Sequence, residues 1–591
     1  MKRKKKRSRL RVLPIILVIV AIIVLAASLL LYERYSPTKE RADLYEYFGV
    51  TDAENVVVIR DFEQMDYQGR YVDGHVYLPY QIVHDTINDR FYVDLDELFL
   101  YVTDQEELIY NLATGGNTCL VRHYENGQMS EETVSFDSMP IKYIDGEFYI
   151  ELDFVKERSP IEYAYYEDPS RVLLTTSFHE MKTLPVVKNT AIRVLGGIKS
   201  PILKDLFPGD TVYYLEEEEN WVKVESMDGI SGYVPKSHLG EESSVMLTCS
   251  YEEEEFTHNF FDGTVNMLWH QVTNTDVNDY IADTLAATKG VNVVSPTWFY
   301  LNDNTGALAD LSSESYVSYC HDRGIQVWGL VSNLENSDAD DDYVLSHYEL
   351  RWNFINALVE KTVALGMDGI NLDFEAISQD SGASYVQLVR ELSLECGSHG
   401  IIFSVDNYVP TEYTLHYDRG EQALFADYVV IMGYDEHYNG SDEGSVASLP
   451  FVEGGIKETM EQGVPANQII LGMPFYTRIW EETPKTGASD MEMASDDYVP
   501  YESVTSRAAG MEEQNRIVAS SGATVTWLDD LGQNFASWQE GEFIYKVWME
   551  DSASLEQKLR VLTENALAGG AFWKSGLELP EIWDTVTAYL K

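Results

Sequence analysis

The chain has 591 residues, enough for several domains, with 42 Lys and Arg against 98 Asp and Glu for a net charge of −56. Eight of the basic residues fall in the first eleven positions, MKRKKKRSRLR, so the remainder is more acidic still; it would repel nucleic-acid phosphates, and no nucleic-acid partner is expected. Cys119, Cys249, Cys320 and Cys396 are too scattered for a disulfide framework or a zinc site, and without CxxC, HExxH or GxSxG motifs no metal or other cofactor is expected.

After the basic segment 1–11 comes VLPIILVIVAIIVLAASLLLY, residues 12–32, with no charged side chain. As a helix it can cross a hydrocarbon core of ~30 Å. The cationic flank stays in the cytoplasm and places residues 33–591 outside the cell membrane. A cleaved signal peptide is the competing reading, but its apolar core is usually ~7–15 residues long and ends at a small-residue site. We expect an uncleaved single-pass anchor, with residues 33–50 as a stalk.

Residues 51–180 are rich in Val, Ile, Tyr and Asp-Gly turns. YVDGHVYLP (71–79) recurs as YIDGEFYIE (143–151), and Asp-Gly between alternating apolar residues marks a tight hairpin. Each hairpin is followed by a helix-like run, at 95–102 and 152–159. The repeat resembles small domains related to the N-terminal domain of copper amine oxidases, which implies a spacer or wall-contact module.

In 206–239, LFPGDTVYYLEEEENWVKVESMDGISGYVPKSHL, short strands are punctuated by Pro-Gly, Asp-Gly and Ser-Gly turns. The order of Gly209, Asp210, Val212, Trp221, Val222, Lys223, Val224, Gly229, Gly232, Tyr233 and Val234 resembles bacterial SH3-type domains over 185–240. That resemblance implies a cell-wall peptide as partner; Trp221 and Tyr233 equally fit the core of a small barrel. Residues 241–261, with the run Glu252–Glu255, read as a solvated acidic linker.

From 262 onward strands and helices alternate. Strands are expected at 265–272, 291–301, 325–332, 369–375, 401–408, 428–435, 468–476 and 569–576, with amphipathic helices between them. In one helix Tyr385, Leu388, Val389, Leu392 and Cys396 share a stripe, which makes Cys396 a core thiol. Eight such units in about 330 residues predict an α/β fold, a (β/α)8 TIM barrel. The long gap after the seventh strand predicts a small inserted subdomain at about 477–550.

The fourth strand ends DGINLDFE, residues 368–375. Side chains two apart share a face, so Ile370, Leu372 and Phe374 pack outward while Asn371, Asp373 and Glu375 point into the barrel. Catalytic groups of such barrels sit at the C-terminal strand ends. Two buried carboxylates in proximity raise the pKa of one of them, and a carboxyl kept protonated near neutrality is a general acid. An ion-paired core cluster is the alternative, but this strand offers no Lys or Arg.

The stretch resembles the D-x-x-D-x-D-x-E signature of glycoside hydrolase family 18, the chitinase-like enzymes. Asp368, Asp373 and Glu375 match, and Asn371 stands where the family has its second Asp. Ser295–Phe299 (SPTWF), Met432–Asp435 (MGYD), Gly472–Trp480 (GMPFYTRIW) and Trp573 extend the resemblance across 262–591. It implies that Glu375 is the acid/base and that the nucleophile is the substrate's own acetamido oxygen. It further implies that Asp373 and Tyr434 hold the acetamido group and that Trp573 floors the sugar site. Asn371, Asp435, Met432, Tyr476, Arg478 and Trp298 would line the cleft; Trp573 and Met432 also fit barrel filling, and Arg478 an ion pair within the insertion. By parity Asp368 faces away from the mouth, so Asp368 and Gly369 are structural. The expectation is a membrane-anchored extracellular glycosidase acting on β-linked N-acetylglucosamine, with peptidoglycan ahead of chitin as the polymer and a sugar-binding surface protein without turnover as the alternative.

Overall fold

Each of the eight apolar runs forms a parallel strand in the structure, a computed structural model that describes residues 9–50, 52, 54–485 and 500–590. The strands are β1 (Val265–His270), β2 (Val293–Leu301), β3 (Gln326–Ser332), β4 (Gly369–Asp373), β5 (Ile402–Tyr408), β6 (Tyr428–Met432), β7 (Ile469–Pro474) and β8 (Gly569–Trp573). Consecutive strands pair in parallel, and β8 pairs with both β7 and β1, closing the barrel. Closure leaves no sheet edge and gives every strand two buried faces. Val265, Met267, Trp269, Val293, Trp328, Leu330 and Val430 fill the interior. Ile370, Leu372 and Phe374 face the other way, into the layer shared with the helices. The stripe Tyr385, Leu388, Val389, Leu392 and Cys396 meets that layer from helix Gly382–His399, and burial pushes the Cys396 thiol well above its ordinary value. It is an inert core group.

Gly369 opens β4 where a Cβ would stand 2.7 Å from the Trp328 ring and 2.9 Å from the Ile402 carbonyl oxygen. No larger residue fits without moving backbone. Asp368, just before it, accepts from the Val327 N–H at 2.8 Å and pairs with His321 at 2.8 Å, so it ties the strand starts together at the end opposite the mouth.

After β7, strands Tyr476–Pro484, Tyr501–Gly510, Thr526–Leu528, Gln533–Glu540 and Phe543–Met549 form a five-stranded antiparallel sheet carrying helix Met511–Ser521. Residues 486–499 of the expected inserted subdomain lie outside the described residues, as do residues 1–8 of the basic segment.

The β-rich N-terminal region divides differently from the expectation. The chain forms two compact units, one of Met1–Asp89 with Phe136–Glu253, the other of Arg90–Ser135 with the barrel. Residues 90–135 make a five-stranded meander, and the run at 95–102, expected as a helix, contains strand Leu98–Val102. Phe99, Leu100, Tyr101 and Val102 are all buried, so both faces of this strand are covered and the period-2 signal disappears. Polar groups tie the meander to helix Tyr348–Leu365. The Tyr348 hydroxyl donates to the fully buried Glu107 at 2.9 Å, and the Tyr348 N–H donates to Asp94 at 3.1 Å.

In the first unit both Asp-Gly pairs lie in the left-handed region, as a tight hairpin turn requires (Asp73 φ 55°, Gly74 φ 93°; Asp145 φ 52°, Gly146 φ 96°). The two hairpins lie side by side in one seven-stranded sheet, through antiparallel pairing of His75–Pro79 with Glu147–Glu151. Residues 180–246 form a second seven-stranded sheet with Val212, Val222, Val224 and Val234 buried and Trp221 and Tyr233 half-buried. The expected stalk is shorter than 33–50. From Thr38 onward it is bonded to that sheet (Thr38 N–H to the Ile198 carbonyl, 2.8 Å; Ala42 N–H to the Ile202 carbonyl, 2.9 Å), and Phe48 is buried in its core. Ahead of it runs helix Arg9–Tyr35, whose segment Pro14–Tyr35 is long and apolar enough to cross a membrane.

Candidate active site

The polar row of β4 rises from the barrel interior to its mouth. Asn371 has no exposed surface, and its amide is fully engaged. Its oxygen accepts from the Trp269 indole at 2.9 Å and from the Ser295 hydroxyl at 3.0 Å; its nitrogen donates to Ser404 at 3.1 Å and to Asp406 at 2.6 Å. Asn371 therefore lies beneath the cleft as a fixed link between strands, which corrects the expectation that it touches substrate.

Asp373 comes next on the same face. Its Oδ1 is buried without a hydrogen-bond partner among the described residues. Burial first, then the carboxylates of Asp406, Glu375 and Glu335, raise its carboxyl well above the ordinary value. Glu375 sits one step further out and is half-buried. Burial raises its carboxyl too, with Asp435 and Glu335 adding to the effect against a hydrogen bond from Tyr408. The backbone beyond the strand is clamped. Asn333 accepts from the Glu375 N–H at 2.9 Å and donates to the Glu375 carbonyl at 2.8 Å, while Ala376 turns at φ 54° with its N–H on the Tyr408 hydroxyl at 3.2 Å. A carboxyl whose backbone is held on both sides has a defined direction, as general acid chemistry requires.

β6 and the insertion supply the opposite wall. Tyr434 meets Trp269 edge-on at 6.5 Å and Tyr476 edge-on at 6.3 Å, and Trp573 meets Trp269 edge-on at 5.8 Å. The Tyr476 hydroxyl donates to Asp435 at 2.6 Å. Met432 is nearly buried on β6. Arg478 donates to Ser506 at 3.3 Å within the inserted sheet, and its Nε is buried without a partner among the described residues. Trp298 does not join this group. It is fully buried in the outer layer, where its indole donates to Asn278 at 2.8 Å, because residue 298 has the opposite parity from the inward Ser295; the β2–β3 register shifts just there, between Thr297 and Phe299.

Sequence reasoning missed Asp406, Tyr408, Asn333 and Glu335. Ser404, Asp406 and Tyr408 form on β5 the same alternating polar row that marked β4, and that pattern was the available signal. Asn333 and Glu335 follow β3 in a loop, where no periodicity points anywhere. Among the described residues, His75, Glu151 and Asp153 are the grouping of potential metal ligands within 4.8 Å of one another. They belong to the first unit, and Glu151 already accepts from the Phe154 N–H at 2.7 Å and lies 3.3 Å from His75.

The arrangement can deliver a proton from Glu375 to a bond lying across the mouth and place negative charge from Asp373 beneath it. Residues 321–578 match the sequence model described as Glycosyl hydrolases family 18. The "Uncharacterized glycosylase YvbX" of Bacillus subtilis (strain 168) is 22% identical over 310 residues, covering 50% of this chain and 84% of that protein. The "Cortical fragment-lytic enzyme" of the same organism is 24% identical over 266 residues, 43% of this chain and 58% of that enzyme, so the chain spans little more than half of its length. Among solved structures, the spore cortex-lytic enzyme SleL of Bacillus cereus superposes with a TM-score of 0.49 at 17% identity, over 60% of this chain and 78% of that one. Residues 321–578 thus carry a glycosidase catalytic domain of the glycosyl hydrolase family 18 type.

Proposed function

We propose that the protein is a membrane-anchored extracellular glycosidase that hydrolyses polymers of β-linked N-acetylglucosamine, peptidoglycan first among them, with retention and with assistance from the substrate. The observation that carries this reading is the half-buried Glu375, clamped by Asn333 and Tyr408 at the barrel mouth with its carboxyl raised by burial, two residues beyond Asp373, whose Oδ1 is buried on the same face. Glu375 gives its proton to the glycosidic oxygen while the acetamido oxygen attacks the sugar carbon, forming an oxazolinium ion. Asp373 holds the acetamido N–H and offsets the positive charge. Tyr434 donates to the acetamido oxygen, and Trp573 packs under the ring. Glu375, now a carboxylate, draws a proton from the water that opens the ring intermediate.

Peptidoglycan is favoured over chitin by the relatives named for cortex lysis and by the SH3-type segment, for which a wall peptide is the proposed partner. The apolar segment Pro14–Tyr35 is the proposed anchor, with its basic flank in the cytoplasm. The test incubates the protein with purified peptidoglycan and with chitin oligomers and identifies the new reducing ends. Glu375→Gln should lower turnover by about 10²–10⁴-fold while sugar binding persists. Wild-type turnover in that variant would remove Glu375 as the acid. Fully de-acetylated oligomers should resist cleavage, since a C2 amine offers no carbonyl oxygen; equal cleavage of both forms would require a protein nucleophile.

A further inference from the structure

Asp406 is 2% exposed and lies on β5, the strand beside β4. The pairing runs Asn371 opposite Ser404 and Leu372 opposite Val405, so the next step of the register sets Asp373 beside Asp406. Neighbouring strands are about 4.8 Å apart, and both residues point inward. The Asn371 amide nitrogen reaches across to Asp406 Oδ1 at 2.6 Å, while its oxygen is fixed by Trp269 and Ser295. That amide cannot turn over without breaking two bonds, so it always presents a donor to Asp406. Asp373 Oδ1, beside it, has no donor among the described residues.

We infer that Asp406 is a positioning residue for the reaction: with Asp373 it forms a buried carboxylate pair that holds one proton and one negative charge, and the fixed Asn371 amide biases where they rest. In the empty site the amide bond favours charge on Asp406, leaving the proton on Asp373. When the acetamido N–H arrives and positive charge develops on the sugar, the proton passes from Asp373 to Asp406 and the charge moves to Asp373. One O–H bond breaks and one forms, with no further reactant. The inference rests on the proposed role of Asp373 and extends it to a residue on another strand. Both carboxyls are raised well above the ordinary range, chiefly by burial, as two like charges at one site require. The other ionisable groups acting on this pair include Glu375 on the segment after β4, Glu335 after β3, Tyr417 after β5, Tyr434 after β6 and Tyr385 on helix Gly382–His399.

The experiment measures kcat/KM against pH for the full-length protein on an N-acetylglucosamine oligomer. Asp406→Asn removes the neighbouring charge, so Asp373 ionises more readily and the acid limb should move down by about one pH unit. Asn371→Asp adds a carboxylate and should move the limb up. The double variant Asn371→Asp/Asp406→Asn returns one neighbouring carboxylate to the site and should bring the limb back toward wild type. An unchanged limb in Asp406→Asn, or a loss of rate equal at every pH, would overturn the inference. Infrared titration supplies a readout that needs no turnover. Wild type should keep a protonated-carboxyl band near pH 7 that Asp406→Asn and Asp373→Asn each lose; persistence of the band in both variants overturns the pair. Failure of wild type to cleave any oligomer would sink the proposed function instead, leaving the band to decide the pair.

Discussion

Asp373, Asp406 and Glu375 place three acidic side chains where solvation is poor, and each is raised as a result. A raised folded pKa means that the fold prefers the protonated carboxyl. That contribution is fully present below the unfolded carboxylate pKa of about 4 and is lost as pH rises through the folded values. The site therefore opposes folding above about pH 4, increasingly so toward neutrality. Asp373→Asn replaces one of these carboxyls, and the proton it must take up on folding, at near-constant volume. It should abolish most activity yet raise the melting temperature, by a few degrees at pH 7.5 and by less at pH 5, measured by calorimetry. A variant equally stable or less stable at pH 7.5 would show that the buried carboxylate is not the source of strain. This residue-scale pattern was partly legible. Asn371, Asp373 and Glu375 stood out because carboxylates on a central strand break the rule that such strands are apolar on both faces. Asp406 broke the same rule, but Asn407 beside it, polar on the outward face where Val405 is apolar, blurred the alternation; its amide donates to Gln422 at 2.7 Å.

At the scale of the element, barrel strands were readable because each joins a continuous apolar run to a helix with its own stripe. The meander was not. Its strand Leu98–Val102 has no polar face, and a short apolar run of this kind cannot be assigned to strand or helix by periodicity. What places it with the barrel is long-range chemistry. Tyr348 reaches Glu107 and Asp94, and Arg351, fully buried on the same helix, lies 4.0 Å from Asp94; within the barrel Arg351 also holds Glu391 in a forked pair at 2.9 and 2.7 Å and donates to the Leu345 carbonyl at 2.6 Å. Removing one partner of a fully buried pair leaves a charge without compensation. Arg351→Ala should cost about 3–5 kcal/mol in denaturant unfolding, and Arg351→Met/Glu391→Leu should recover most of it. A loss below about 1 kcal/mol in the single variant would mean that water reaches Glu391. Proteolysis between residues 90 and 135 should likewise lower the melting temperature of the barrel.

Over the whole molecule the acidic balance, −56 and more negative still beyond the first eleven residues, bears on how a charged polymer would approach. A polymer bearing carboxylates is repelled at long range, whereas a neutral oligosaccharide is not. Screening shortens that repulsion from a range of roughly 30 Å at 0.01 M salt to about 8 Å at 0.15 M. KM for a carboxylate-bearing wall polymer should therefore fall several-fold across that range, while KM for a neutral N-acetylglucosamine oligomer should stay within about twofold. Equal salt dependence of the two would place the acidic surface away from the route of entry.

The early bonding of the stalk has a mechanical consequence. Helix Arg9–Tyr35 ends three residues before Thr38 is fastened to the Ile198 carbonyl, and three residues of extended chain span only about 10 Å. For a chain that leaves the bilayer at Tyr35, the first unit is mounted on a short post rather than flown on a leash. Lateral diffusion in the membrane, not swinging of a tether, would carry it to new stretches of polymer. Lengthening the joint with flexible Gly-Ser residues would add reach that grows only as the square root of their number.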